Sequence, residues 1–159
     1  MKNFNIVLVN PEIPQNTGNI GRLCVGTNSS LHLVKPLGFD LDEKKVRRAG
    51  LDYWPHLDLT LHDSWSPDRE RCFLFSKKAK QSVFDLEFKP GDYLVFGCET
   101  KGLPQEWMDH HSEKMLSLPQ FGPVRSHNLS NAVSSVVYLG LKNLVDQKLL
   151  DLPNVDNAS

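Results

Sequence analysis

Apolar and polar positions along the chain follow two periods in turn, and the switches between them mark out short strands and helices. Phe4-Asn5-Ile6-Val7-Leu8-Val9 is an apolar run stopped by Asn10-Pro11, which predicts a buried strand. From Asn16 to Thr27 the apolar residues Ile20, Leu23 and Cys24 gather on one side of a predicted helix. Leu31–Val34 predicts the next strand, closed by Pro36 and Gly38. Asp42–Arg48 reads as a short charged helix that Asp42 is able to cap. Leu57–Leu61 is a weak strand pattern, and Arg71–Phe75 a stronger one. Lys89-Pro90-Gly91-Asp92 has turn chemistry, and Tyr93–Phe96 follows it as a strand. Pro104–His111 fits a helix with Pro104 and Glu106 in its first turn, and Met115–Leu118 is a last short strand before Pro119. The clearest helix runs from about Asn128 to Val145, where Leu129, Val133, Val136, Val137, Gly140, Leu141 and Leu144 recur at helical spacing. The tail from Asp151 to Ser159 is polar and expected to be loose.

Short apolar strands alternating with helices predict an α/β fold with a mostly parallel sheet and helices on both faces. With 159 residues and no linker or repeat, the expectation is one domain. In such sheets ligands sit beyond the carboxyl ends of the strands, which directs attention to three loops.

Composition narrows the chemistry. Hydrophobic residues make up 40% and charged residues 23%, an ordinary globular balance without a membrane-spanning run. Nothing at the start resembles a secretory signal, so the expected compartment is the cytoplasm. Cys24, Cys72 and Cys98 form no CxxC pair and lie in apolar segments, which predicts buried free thiols. The histidines lack metal-ligand spacing, so no metal is expected. A net charge of −1 argues against coating nucleic acid through bulk charge, so any RNA site has to be a local patch.

The first loop, Asn10 to Arg22, is stiffened by Pro11 and Pro14 and sets Asn16, Thr17 and Asn19 around Gly18 at a helix start. It reads either as a capped helix with an exposed arginine or as a ribose or phosphate clamp built on Arg22, whose guanidinium offers five fixed donors. The second, Gly97-Cys98-Glu99-Thr100-Lys101-Gly102-Leu103-Pro104, has two glycines five apart that permit close backbone approach to a ligand. It starts like a phosphate loop, but Leu103-Pro104 replaces the required Lys-Ser/Thr, which disfavours ATP or GTP. The third runs from Leu116-Ser117-Leu118-Pro119 to Arg125-Ser126-His127-Asn128-Leu129-Ser130-Asn131. Capping by Ser126 or Asn128 explains one of these polar residues, not the whole cluster.

Together, Asn16-Thr17-Gly18-Asn19-Ile20-x-Arg22, Gly97-x-Glu99-Thr100-x-Gly102 and Leu118-Pro119…Ser126-x-Asn128-Leu129-Ser130-Asn131 resemble the three motifs of SPOUT methyltransferases, in order. Pro11-Glu12-Ile13-Pro14 and Arg47-Arg48-Ala49-Gly50-Leu51-Asp52-Tyr53 further resemble the small tRNA wobble-pyrimidine 2′-O-methyltransferases of that superfamily. The resemblance spans about Asn5 to Tyr138. It implies a deep C-terminal trefoil knot and S-adenosylmethionine as cofactor, with Phe75, Gly97, Leu118, Ser126 and His127 at cofactor-contact positions. It further implies Arg22 and Tyr138 as catalytic residues, and a homodimer that reads a tRNA anticodon stem-loop. Arg47, Arg48 and Arg125, with Lys44 and Lys45, are the candidate RNA contacts. Cys98, Lys101 and His127 depart from the proline, arginine and methionine usual in close relatives, which bears on the nucleotide more than on the chemistry. Alternatives are a SPOUT enzyme for another tRNA or rRNA ribose and a non-catalytic knotted RNA-binding protein. A dinucleotide oxidoreductase is remote, since no GxGxxG follows Phe4–Val9.

Overall fold

Six strands form one sheet in the computed structural model, which describes residues 1–41 and 53–154. They are β1 (Phe4–Val9), β2 (Ser30–Val34), β3 (Leu59–His62), β4 (Cys72–Phe75), β5 (Asp92–Phe96) and β6 (Met115–Leu116). The order is β3-β2-β1-β5-β4-β6, and every neighbouring pair is parallel. Such a sheet is covered on both faces, which is why its central strands are mostly apolar, as in Ile6–Val9 of β1 and Leu94–Phe96 of β5. β1 is central, pairing Ile6 with Leu31 of β2 and with Leu94 of β5. The chain builds outward from β1 to β3, then crosses to the other side. The strand order therefore switches between β1 and β5, the place where α/β sheets open a ligand crevice.

The two sheet faces have different covers. Phe4, Ile6, Leu8, Leu31, Leu33 and Leu94 face two longer helices, α1 (Pro14–Gly26) and, in the carboxyl-terminal part, α3 (Leu129–Asp146). α1 gives Ile20 and Cys24 to that layer, and α3 gives Val133, Val136, Val137 and Leu144, all of them fully buried. Each of the aliphatic side chains among them contributes about 1.5–3 kcal/mol on burial. Gly140 lets α3 lie against Phe4 and Phe88, whose rings meet edge to face at 5.7 Å. On the other face Val7, Val9, Val34, Leu74 and Val95 pack under the short helix α2 (Gln105–His110) through Leu103 and Met108. Cys24 and Cys72 are buried free thiols, and that burial pushes them up to about 12 and about 11.

Predicted and observed elements agree closely, and the differences have local causes. α1 starts at Pro14, two residues earlier than predicted, because proline is well suited to the first turn, where no N–H is needed. β5 takes in Asp92, fully buried because Arg71 grips its carboxylate with two 2.8 Å bonds and Lys89 N–H adds a third. β6 stops at Leu116 because Ser117 turns to pair with the 81–83 segment instead, donating to the Gln81 carbonyl at 2.8 Å. The predicted helix Asp42–Arg48 lies outside the described residues, as do Lys44, Lys45, Arg47 and Arg48. No helix among the described residues is long and apolar enough to cross a membrane.

Candidate active site

Because β1 and β5 are neighbours, the loops leaving their carboxyl ends meet. After Phe96 the chain doubles back on itself: Cys98 N–H donates to the Gly102 carbonyl at 3.2 Å, and Gly102 N–H returns a bond to Cys98 at 3.0 Å. This turn demands both glycines. Gly102 has φ +72°, and a Cβ on Gly97 would lie 2.0 Å from the Gly102 carbonyl carbon. The tight turn aims Glu99 at the first loop. Its carboxylate accepts from Glu12 N–H at 2.8 Å, Ile13 N–H at 3.1 Å and the Asn16 amide at 3.3 Å. Glu12 replies, accepting from the Thr100 hydroxyl at 2.6 Å. Hydrogen bonds from Cys98 and Thr100 hold the Glu12 carboxyl below its usual range.

The third loop joins through one residue. Asn128 caps α3, its side-chain oxygen accepting from Asn131 N–H at 3.2 Å. Its amide nitrogen donates to Asn16 at 3.2 Å. Asn128, Asn16 and Glu99 therefore form one hydrogen-bonded chain through all three loops, with Asn16 at its centre and almost wholly buried. The preceding stretch, Phe121–His127, is exposed, and Lys77 reaches across to donate to the Arg125 carbonyl at 3.4 Å.

Beside this chain lies a cavity of about 720 Å³ at the carboxyl ends of β4 and β5. Phe75 and Phe96 stack at 4.8 Å with planes 9° apart and line it together with Leu118, Leu129 and Val136. Gly97, Ser126 and His127 also line it, so all five candidate cofactor contacts surround a single cavity, and Arg125 stands there too. Arg22 and Tyr138 do not line it. Arg22 is exposed on α1, and Tyr138 is 58% exposed on α3. Cys98 is half-buried and lines the cavity, which corrects the expectation of a buried thiol: the Gly97–Gly102 turn lifts it out of the core. Lys77 and Lys78 line it as well, unnoticed in the sequence. Their signal is position, directly beyond the carboxyl end of a predicted strand. Among the described residues no group of three or more His, Cys, Asp or Glu converges.

The volume and lining suit an adenosine-bearing ligand such as S-adenosylmethionine: flat apolar walls for a base, and exposed backbone and small polar groups for a sugar. The SpoU rRNA Methylase family matches residues 3–138. The chain belongs to the SpoU methylase family. A SpoU relative from Burkholderia ambifaria, the tRNA (cytidine(34)-2′-O)-methyltransferase, is 46% identical over 143 residues, covering 85% of this chain and 92% of its own. A solved structure concerning 2-OH methylation of C/U34 on tRNA is 44% identical and superposes with a TM-score of 0.84 over 90% of this chain and 97% of that one. The SpoU methyltransferase AviRb of Streptomyces viridochromogenes, solved with AdoMet, shares the fold at a TM-score of 0.80 and 20% identity, covering 92% of this chain and 62% of that one.

Proposed function

We propose that this SpoU-family chain transfers the methyl group of S-adenosylmethionine to the ribose 2′-hydroxyl of the wobble pyrimidine, position 34, of tRNA. The observation that carries this reading is the Asn128–Asn16–Glu99 chain, which locks three motif loops beside a nucleoside-sized cavity at the carboxyl ends of β4 and β5. The substrate follows from two relatives at 46% and 44% identity, both concerned with tRNA position 34.

Bound S-adenosylmethionine supplies an electrophilic methyl group on a sulfonium. Phe75 and Leu118, which line the cavity, would hold the base, while the Gly97 backbone, Ser126 and His127 would hold the rest of the cofactor. Arg22 stays protonated, so it serves as an orienting group rather than a base. It directs the 2′-hydroxyl toward the methyl and stabilises the alkoxide as the proton leaves for a substrate phosphate. Tyr138 assists in placing the ribose. Both side chains are exposed, on two helices that pack together, and neither reaches its own cavity. The role assigned to them requires a homodimer, in which a second copy covers this face. Exposed Phe121, Val124 and Ile13 supply apolar surface for that contact. Residues 1–159 form one cytoplasmic domain knotted near its carboxyl end, and Arg47, Arg48 and Arg125 contact the anticodon stem-loop.

The test is methyl transfer from labelled S-adenosylmethionine to bulk tRNA lacking this modification, followed by nucleoside mapping. A 2′-O-methylated pyrimidine at position 34 is the expected product. Label on another ribose keeps the chemistry and rejects the substrate. Cofactor binding without transfer to tRNA rejects the reading in favour of an rRNA substrate or a non-catalytic RNA binder.

A further inference from the structure

Charge is distributed unevenly around the cavity. Four fixed cations line it: Lys77 and Lys78 beyond β4, Lys101 beyond β5, and Arg125 in the loop before α3. All four are exposed, whereas Phe75, Phe96, Leu118 and Leu129 are wholly or half-buried. Against them the lining carries one carboxylate, Glu99, and its oxygens are already taken by Glu12 N–H, Ile13 N–H and Asn16. Among the described residues none of the four cations forms an ion pair; Lys77 has only the Arg125 carbonyl. Lys101 lies near enough to Glu12 to help lower its pKa, but Glu12 is bonded to Thr100 and lies outside the lining. This cluster stands out on a chain whose net charge is −1.

Unpaired cations at the mouth of a low-dielectric cleft focus a positive potential outward. No carboxylate among the described residues pairs with them, which leaves them open to an external anion. A single cofactor carboxylate occupies one of them at most, whereas a polyanion running across the mouth engages several. We propose that Lys77, Lys78, Lys101 and Arg125 form a phosphodiester clamp that holds the RNA backbone across the mouth of the cofactor cavity. This rests on the proposed transfer to tRNA and names the residues that grip the strand. The clamp explains how a protein without net positive charge binds RNA: the charge it needs is gathered on three consecutive loops at the site of chemistry. Lys77 also donates to the Arg125 carbonyl at 3.4 Å, which brings the loop after β4 next to the loop that carries Arg125.

The test compares wild type with Lys77→Ala/Lys78→Ala and Lys78→Glu/Lys101→Glu. Binding of a fluorescent tRNA anticodon stem-loop is followed by anisotropy over a series of salt concentrations, and S-adenosylmethionine binding by calorimetry. Removing one phosphate-binding cation flattens the slope of log affinity against log salt by about 0.7–0.9. The double alanine variant is therefore expected to lose about 1.5 from its slope and to bind RNA at least about tenfold more weakly at moderate salt. Charge reversal is expected to weaken it further, with cofactor affinity held within about twofold in both. All three side chains are exposed, and unchanged melting temperatures verify folding. An unaltered slope in variants of a wild type that binds RNA and methylates tRNA overturns the clamp and leaves the proposed function standing. Reduced cofactor affinity with intact RNA binding also overturns it, reassigning the cations to the cofactor. A wild type that binds no RNA overturns both readings.

Discussion

Glu99 shows what a single side chain contributes to this site. In sequence it is one acid between two glycines, and its motif names it without saying what it does there. The structure gives it three donors from another loop. Glu99→Gln keeps the shape but turns an amide NH₂ toward one of those donors, leaving a backbone N–H unpaired. The expected cost is about 1–3 kcal/mol. Because the loss falls at the junction of the first two loops, S-adenosylmethionine affinity should fall with it. Urea unfolding and calorimetry measure the two effects; unchanged stability and affinity would show that the junction does not depend on the carboxylate. Arg22 presents the reverse case. Its motif singles it out in the sequence, yet the structure leaves it exposed on α1 and outside the cavity lining, because a motif's spacing does not say which way the helix turns it.

At the scale of elements, the periodic patterns place all six strands and the two long helices, and ends move where tertiary bonds take over. β3 is the instructive case. Leu57–Leu61 is the weak pattern, and the observed strand begins two residues later and ends one residue later. Its register is pinned by polar side chains that hydropathy ignores: Ser30 donates to Asp58 at 2.6 Å, and His32 of β2 meets His62 at 2.9 Å. Asn5 of β1 donates its amide to the Gly91 carbonyl, so its oxygen faces His32 Nε2 as an acceptor at 3.2 Å. With both rings neutral, His32 therefore donates from Nε2 to Asn5 and accepts at Nδ1 from His62. Burial first, then His62 and Arg69, lower the His32 pKa, while Asp58 opposes the shift. A lowered folded value means the unfolded chain binds the proton more readily, so stability rises with pH across this window. The contribution is complete above the unfolded value near about 6.5 and is lost as pH falls through the folded value. Urea midpoints at pH 7.5 and pH 5.5 should therefore differ more in wild type than in His32→Asn; equal differences would remove His32 as the cause.

For the whole molecule, the cavity and the groups assigned to chemistry do not coincide within one chain. Phe75, Gly97, Leu118, Ser126 and His127 surround the cavity, while Arg22 and Tyr138 stand exposed elsewhere. If a homodimer completes the site, Arg22 of one copy serves the cavity of the other, and complementation reveals it. Arg22→Ala should abolish methyl transfer while keeping cofactor binding. Gly97→Val should abolish cofactor binding, since even a Cβ meets the Gly102 backbone. Mixed through a denaturing and refolding cycle, the two variants assort at random, and about half of the dimers pair one of each. In each mixed dimer, one site joins an intact cavity with an intact Arg22, giving about a quarter of wild-type activity. If Arg22 serves its own cavity, every site in the mixture carries one defect and no activity returns. Because Gly97→Val threatens the turn it occupies, a second cavity variant, Leu118→Trp, runs beside it and fills the space without disturbing the glycines. Recovery with both cavity variants assigns Arg22 across the interface; recovery with neither returns it to its own chain and removes the reason for a dimer.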